Sequence, residues 1–193
     1  MPRNERPRYE WRRWSQVGAI SEEIWTRLRT IPTTSMGGYP ASASLRDGTS
    51  APCILFFEVG SACQSEYVPR QGLFRVFYRH QIDKLTEPET VASVAPCSCA
   101  IPHAVASRMD SFPEPFMSGP SICKLIMNDE SEFLFEGGWD HAFMSLPDGR
   151  TVDQIKDVVE IPSMNEFLES ARDRKVIGEP HFALCMFRRP SSE

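Results

Sequence analysis

Short apolar runs separated by turn residues dominate this sequence and limit what it can fold into. Each run has the length of a β-strand, and helical periodicity is confined to a few short stretches. Sixteen prolines among 193 residues further favour short elements over a helical bundle. We therefore predict an α+β fold, in which an antiparallel or mixed sheet carries a few short helices on one face. The predicted strands are residues 52–59, 72–80, 121–129, 132–137, 141–146 and 181–189.

Four stretches have the caps or the apolar spacing of helices. Ser21 and Ser163 stand where helix N-caps are expected, and Glu166 completes a capping-box spacing with Ser163. Apolar residues then recur at helical intervals behind these positions. The predicted helices are residues 21–28, 101–109, 151–159 and 163–176.

The dipeptide Ile-Pro occurs three times, and each copy is followed some way on by a proline and an apolar run that contains a cysteine. This pattern leaves open a degenerate internal repeat of a helix-strand unit. The Ile-Pro copies begin at Ile31, Ile101 and Ile161.

Residues 32–52 are rich in Gly, Ser and Pro, and we predict an irregular loop there. The loop carries Met36 and Tyr39, apolar side chains that favour contact with the domain or with a partner. Together with Trp139, in the sequence Glu-Gly-Gly-Trp-Asp-His, they are the predicted binding residues. Tyr39 is expected to contribute to partner binding rather than to folding stability.

The first 13 residues hold five arginines against two glutamates, and we assign residues 1–13 to a basic arm and residues 14–193 to a single α+β domain. An arm of this kind can bind nucleic acid, but the net charge of −5 gives no global attraction to it. The sequence lacks an apolar stretch long enough to span a membrane and an apolar leader. We therefore expect a soluble cytoplasmic protein, with no membrane association and with reduced cysteines.

The segment Ala-Pro-Cys-Ser-Cys-Ala-Ile-Pro-His places Cys97, Cys99 and His103 close together. A cysteine nucleophile needs a lowered pKa, which a helix N-terminus or a nearby imidazole supplies, so Cys97, Cys99, His103 and His141 are the candidate catalytic residues. Cys97, Cys99 and His103 could also bind a metal, joined by Cys123 and His141 if the fold brings them near, but the C-x-C spacing is tighter than that of zinc sites and leaves a fourth ligand unspecified. The sequence therefore predicts no metal site and no cofactor, and it favours a buried turn.

Three functions are compatible with these features. The absence of a complete catalytic constellation favours a non-catalytic cytosolic protein-interaction module, such as an adaptor, an inhibitor or an immunity-type partner. The alternatives are a small cysteine- and histidine-dependent enzyme and a nucleic-acid-associated protein that uses its basic arm. The expected partner is another protein, and nucleic acid is disfavoured.

The expected reduced state of the cysteines can be tested directly. Thiol titration of the denatured protein, without a reducing agent, should find all six cysteines as free thiols. If two or more thiols are missing, the expected reducing compartment is wrong.

Overall fold

The computed structural model describes most of the chain, and the following account concerns those residues alone. They are residues 17–34, 37–59, 82–112, 121–137 and 141–190. The basic arm and the predicted strand 72–80 therefore lie outside the described residues. Among the helices described, none has the length and apolarity needed to cross a membrane.

Nine strands form two mixed sheets, so the predicted α+β class is confirmed. The first sheet has the strand order β3-β9-β2-β1-β4, and the second has the order β7-β5-β6-β8. The strands are β1 Tyr39–Leu45, β2 Ser50–Glu58, β3 Ile82–Leu85, β4 Val91–Pro96, β5 Ser121–Met127, β6 Glu132–Gly137, β7 Ile155–Glu160, β8 Val176–Gly178 and β9 Phe182–Phe187.

Three α-helices cover the sheets. Their bounds are α1 Glu22–Leu28, α2 His103–Asp110 and α3 Met164–Ser170. Ser21 caps α1 and Ser163 caps α3, each by accepting a backbone N–H, as the sequence predicts. The helices α1 and α2 each bury side chains on one face of a sheet, and α3 buries Phe167 on the opposite face of the second sheet.

The two sheets are built from a repeated unit. In each unit a helix precedes a hairpin, and a 3₁₀ helix leads into a third strand that pairs antiparallel with the first strand of the hairpin. A later strand, β9 in the first sheet and β8 in the second, pairs parallel with the second strand of the hairpin. The first unit comprises α1, β1, β2, the 3₁₀ helix Pro88–Thr90 and β4; the second comprises α2, β5, β6, the 3₁₀ helix Val152–Gln154 and β7.

The hairpin turns of the two units match in detail. Asp47 accepts hydrogen bonds from the backbone and hydroxyl of Thr49, and Asp129 accepts the same pair from Ser131. The residue after each aspartate has a positive φ, 85° at Gly48 and 63° at Glu130. Such agreement of turn chemistry and strand order identifies an internal duplication.

This duplication differs from the one that the Ile-Pro pairs indicate. The repeated pairs would align the runs that contain β2 and β5, whereas β2 is the second strand of its hairpin and β5 is the first. The chain does contain a repeat of helix and strands, but the Ile-Pro dipeptides do not mark its boundaries.

One irregularity distinguishes the first unit from the second. Between Ala51 and Ile54, β2 has two residues, Pro52 and Cys53, opposite a single residue of β1. The corresponding stretch of β6 pairs with β5 in unbroken register. The extra residue is a β-bulge, which turns the following side chains to the other face of the sheet.

Three local predictions are wrong. About half of the predicted loop 32–52 is the strand β1 and the start of β2, because pairing with both neighbouring strands buries Ala41 and Ala43 in the core. The predicted helix 151–159 is a 3₁₀ turn followed by β7, whose pairing with β5 overrides the helical spacing. The predicted strand 141–146 is buried over residues 141–144 but makes only an isolated bridge, at Phe143.

Asp129 links the stability of the second hairpin to pH. Hydrogen bonds from Ser131 and Arg150 lower the pKa of this carboxyl to about 2. Its contribution to stability is therefore complete above the pKa of an unfolded aspartate, about 3.9, and is lost as the pH falls towards 2.

In Asp129→Asn the free energy of unfolding, measured by denaturant titration, should fall less steeply over this acidic range than in the unsubstituted protein. Identical slopes would contradict this linkage.

Candidate functional site

The bulge in β2 directs Cys53 towards the end of β4. Cys53, Leu55 and Phe57 share one face of β2, and they pack in a core with Cys97, while Ile54 and Phe56 face the opposite side. Cys97 directly follows the last residue of β4. The Sγ atoms of Cys53 and Cys97 lie 3.9 Å apart.

Cys97 and Cys99 lie in a tight turn that is anchored to the rest of the protein. The backbone N–H of Ala100 donates to the carbonyl of Cys97 at 3.1 Å, which closes the turn. The carbonyl of Cys99 accepts from the N–H of Met144 at 2.8 Å, and this bond fixes the turn to the segment between β6 and β7. The backbone N–H of Cys99 also points at the Sγ of Cys97, at 3.4 Å. The predicted buried turn is therefore present, and its two thiols belong to a group that also includes Cys53.

The sulfur atoms of Cys53, Cys97 and Cys99 all lie within 4.8 Å of one another. We call these three residues the thiol cluster. Cys53 and Cys97 are buried, with 7% and 9% of their surface exposed, and Cys99 is half-buried. The cluster is therefore enclosed on the side of Cys53 and Cys97 and accessible from the side of Cys99.

The two buried thiols differ in acidity. The hydrogen bond with the Cys53 thiol, together with the backbone N–H groups of Cys99 and Ala100, lowers the pKa of Cys97 to about 7 although burial opposes this. The pKa of Cys53 is raised, first by its hydrogen bond with Cys97 and then by burial. Cys53 therefore keeps its proton while Cys97 is the group that ionises first. As a neutral thiol, Cys97 donates to the carbonyl of Pro52 at 3.1 Å.

The two histidines of the candidate catalytic set lie apart from the thiol cluster. The Nε2 atom of His103, an exposed residue on α2, lies 3.4 Å from the hydroxyl of Ser107. His141 is buried, and its Nε2 atom lies 3.6 Å from the Oδ1 atom of Asp110. Among the described residues, the structure thus brings together Cys97 and Cys99 of the set, and adds Cys53 to them.

The second unit provides a comparison within the same molecule. Ile161 directly follows β7 as Cys97 directly follows β4, and two residues later Ser163 corresponds to Cys99. Leu134 occupies the stretch of β6 that corresponds to the bulge. Both Leu134 and Ile161 are buried in one apolar core. The same architecture is therefore built with two hydrocarbon side chains, Leu134 and Ile161, and the hydroxyl of Ser163 where the first unit has thiols.

Sequence reasoning missed Cys53, which it assigned to the core of a strand. A single strand-length run gives no sign of a bulge, since the apolar pattern on both faces of β2 hides the change of register. Alignment of the hairpins on their aspartate turns would have placed an extra residue at Pro52 or Cys53.

Of the three predicted binding residues, the structure describes Tyr39. Met36 and Trp139 lie outside the described residues. Tyr39 begins β1, and its ring packs against Trp25 and Phe187 with centroid distances of 6.0 and 6.4 Å. Burial is the main cause that raises the pKa of Tyr39.

Comparisons with protein-family models, with curated proteins and with solved structures returned no match to this chain. A function can therefore be inferred only from the geometry of the thiol cluster.

The packing of Tyr39 against Trp25 and Phe187 predicts that this residue contributes to folding stability. Tyr39→Ala should lower the free energy of unfolding by about 2 kcal/mol, because it removes a ring from an aromatic cluster. Tyr39→Phe should keep most of the stability, since the ring contacts remain. Denaturant unfolding of the two variants tests this. If Tyr39→Ala is as stable as the unsubstituted protein, Tyr39 does not contribute to stability, and its predicted role in partner binding stands.

Proposed function

We propose that this protein binds a thiophilic metal ion through Cys53, Cys97 and Cys99. The observation that carries the proposal is the convergence of three sulfur atoms, from two segments far apart in the sequence, within 4.8 Å of one another. Thiolates are ligands for soft and borderline ions such as Cu(I) and Zn(II). The expectation of no metal site considered Cys97 and Cys99 with His103 and did not include Cys53.

The spacing of the sulfur atoms suits a shared ion. A metal–sulfur bond of about 2.3 Å places two ligands of one ion about 3.8–4.0 Å apart, in tetrahedral or trigonal geometry. Cys53 and Cys97 are separated by 3.9 Å, so this pair could bind an ion with little movement. Cys99 needs only a rotation of a half-buried side chain to reach the same ion.

A disulfide between Cys53 and Cys97 is a poorer explanation of the cluster. A disulfide would use two of the three sulfur atoms and would leave the position of Cys99 unexplained. An S–S bond is about 2.05 Å long, so the Sγ atoms of Cys53 and Cys97, which lie 3.9 Å apart, would have to move towards each other. A metal ion can bridge the two sulfur atoms at their present separation.

The internal duplication supports a functional role for the thiols. The second unit has Ile161 and Ser163 where the first has Cys97 and Cys99, so neither cysteine is required by the architecture. A set of three thiols in one unit alone is better explained by ligand binding than by packing.

The earlier functional hypotheses stay predictions. A cysteine- and histidine-dependent enzyme has less support, because the described histidines contact other groups. A protein-interaction module is compatible with metal binding, since an ion can be passed between proteins. The predicted role of Tyr39 in such an interaction has less support, because its ring packs against Trp25 and Phe187.

Titration with Cd(II) tests the proposal. The full-length protein, reduced and kept free of oxygen, should develop the ultraviolet charge-transfer band of cadmium thiolates and saturate at one equivalent. Binding should release protons, because thiols must ionise to bind, and should weaken as the pH is lowered. Cys97→Ser and Cys53→Ser should each weaken binding at least about tenfold, the scale on which altered metal sites lose affinity.

Two variants control for folding. Cys123→Ala removes a buried thiol from the second sheet and installs the residue found at the matching position of the first unit, Ala41. It should keep the band at one equivalent. Cys99→Ser installs the residue of the second unit and should weaken binding while the circular dichroism spectrum is unchanged. A band that is absent, or that is unaffected by all three substitutions in the thiol cluster, would overturn the proposal.

A further inference from the structure

The donor set of the thiol cluster is all sulfur and has three members. Among the parts of the chain that the structure describes, Cys53, Cys97 and Cys99 form the one group of three or more potential ligands with donor atoms this close. Zinc in structural sites is bound by four protein ligands in a tetrahedron, and four-ligand sets of sulfur, or of sulfur and nitrogen, indicate zinc or iron–sulfur centres. Within the described residues, this set has no fourth protein ligand to complete a tetrahedron. Within the group of ions that prefer thiolates, it favours Cu(I), which accepts lower coordination.

Two of the described histidines, His103 and His141, contact groups outside the thiol cluster. His103 follows Cys99 in the sequence, but its ring lies beside Ser107 on the same helix. His141 precedes the segment that anchors the turn, but its ring lies beside Asp110 and against Phe135. Neither belongs to the group whose donor atoms lie within 4.8 Å of one another.

The surroundings of the thiol cluster also favour a low coordination number. Cys53 and Cys97 share their core with the buried side chains of Leu55, Phe143 and Leu184. Hydrocarbon on this side disfavours water as a fourth ligand.

We infer that the ion bound by this cluster is univalent copper, coordinated by the three sulfurs of Cys53, Cys97 and Cys99. This inference rests on the proposed metal-binding function and names its ion. Cys53 and Cys97 form the buried part of the site, and half-buried Cys99 is the ligand through which the ion enters and leaves.

Competition between metals tests the inference. The reduced full-length protein receives one equivalent of Cu(I), supplied without oxygen as its acetonitrile complex, in the presence of excess Zn(II). Copper should be retained at one equivalent, should displace Cd(II) from the cadmium-loaded protein, and should show three sulfur neighbours by X-ray absorption.

Exchange kinetics test the role of Cys99. Transfer of copper to the chelator bicinchoninate should be at least about tenfold faster from Cys99→Ser than from the unsubstituted protein, because one ligand is lost from the exposed side. X-ray absorption of this variant should show two sulfur neighbours. Cys123→Ala, the matched control, should transfer copper at the unsubstituted rate.

The outcomes separate the two proposals. If Cd(II) or Zn(II) binds through the three cysteines and Cu(I) does not displace it, the copper inference is wrong while the metal-binding function stands. Four ligands around copper, or loss of copper to excess zinc, would likewise overturn the inference. If none of the three metals binds, both proposals fail.

Discussion

The pairing of β1 with both β2 and β4 is the constraint on which the first sheet depends. Its central residues are small, so the larger side chains of the neighbouring strands fill the space on the two faces of the sheet. Because β1 fixes the positions of β2 and β4, it also fixes the distance between Cys53 and Cys97. Each of these thiols belongs to, or directly follows, a strand bonded to β1. The thiol cluster is thus positioned by a rigid sheet rather than by a flexible loop.

The β-bulge in β2 shows how one residue can change the chemistry of a repeated unit. In β6 the register is unbroken, and Leu134 contributes to an apolar core. In β2 the extra residue turns Cys53 into the neighbourhood of Cys97. The remainder of the unit, including the aspartate turn, is conserved between the two halves of the molecule. Duplication therefore supplies two scaffolds, and the thiols are present in one of them.

Some of the fold could be predicted from the sequence because the signal was local. Ser21 and Ser163 mark helix starts through hydrogen bonds to residues only three positions away, and the turn at Asp129 is equally local. The strand β7 could not be predicted, because its residues have helical spacing and its conformation is set by pairing with β5.

The candidate site shows the same division between local and distant information. The turn that holds Cys97 and Cys99 could be predicted from their own segment, while the contribution of Cys53 depends on a register between strands. The segment 141–146 is apolar because it passes between two cores: Phe143 packs in one core and Met144 in the other. A segment that is buried without strand pairing can therefore have the same apolar composition as a strand.

The position of β9 has a consequence for synthesis of the chain on the ribosome. The strand is the last of the nine, yet it lies inside the first sheet, between β3 and β2, and pairs with residues made much earlier. The second sheet, by contrast, is assembled from strands that lie close together in the sequence. Contacts between distant residues form slowly because a long loop must close, so the downstream sheet can form first. Phe182 and Leu184 of β9 also enclose the core that contains the thiols, so those thiols stay open to solvent until β9 has been synthesised.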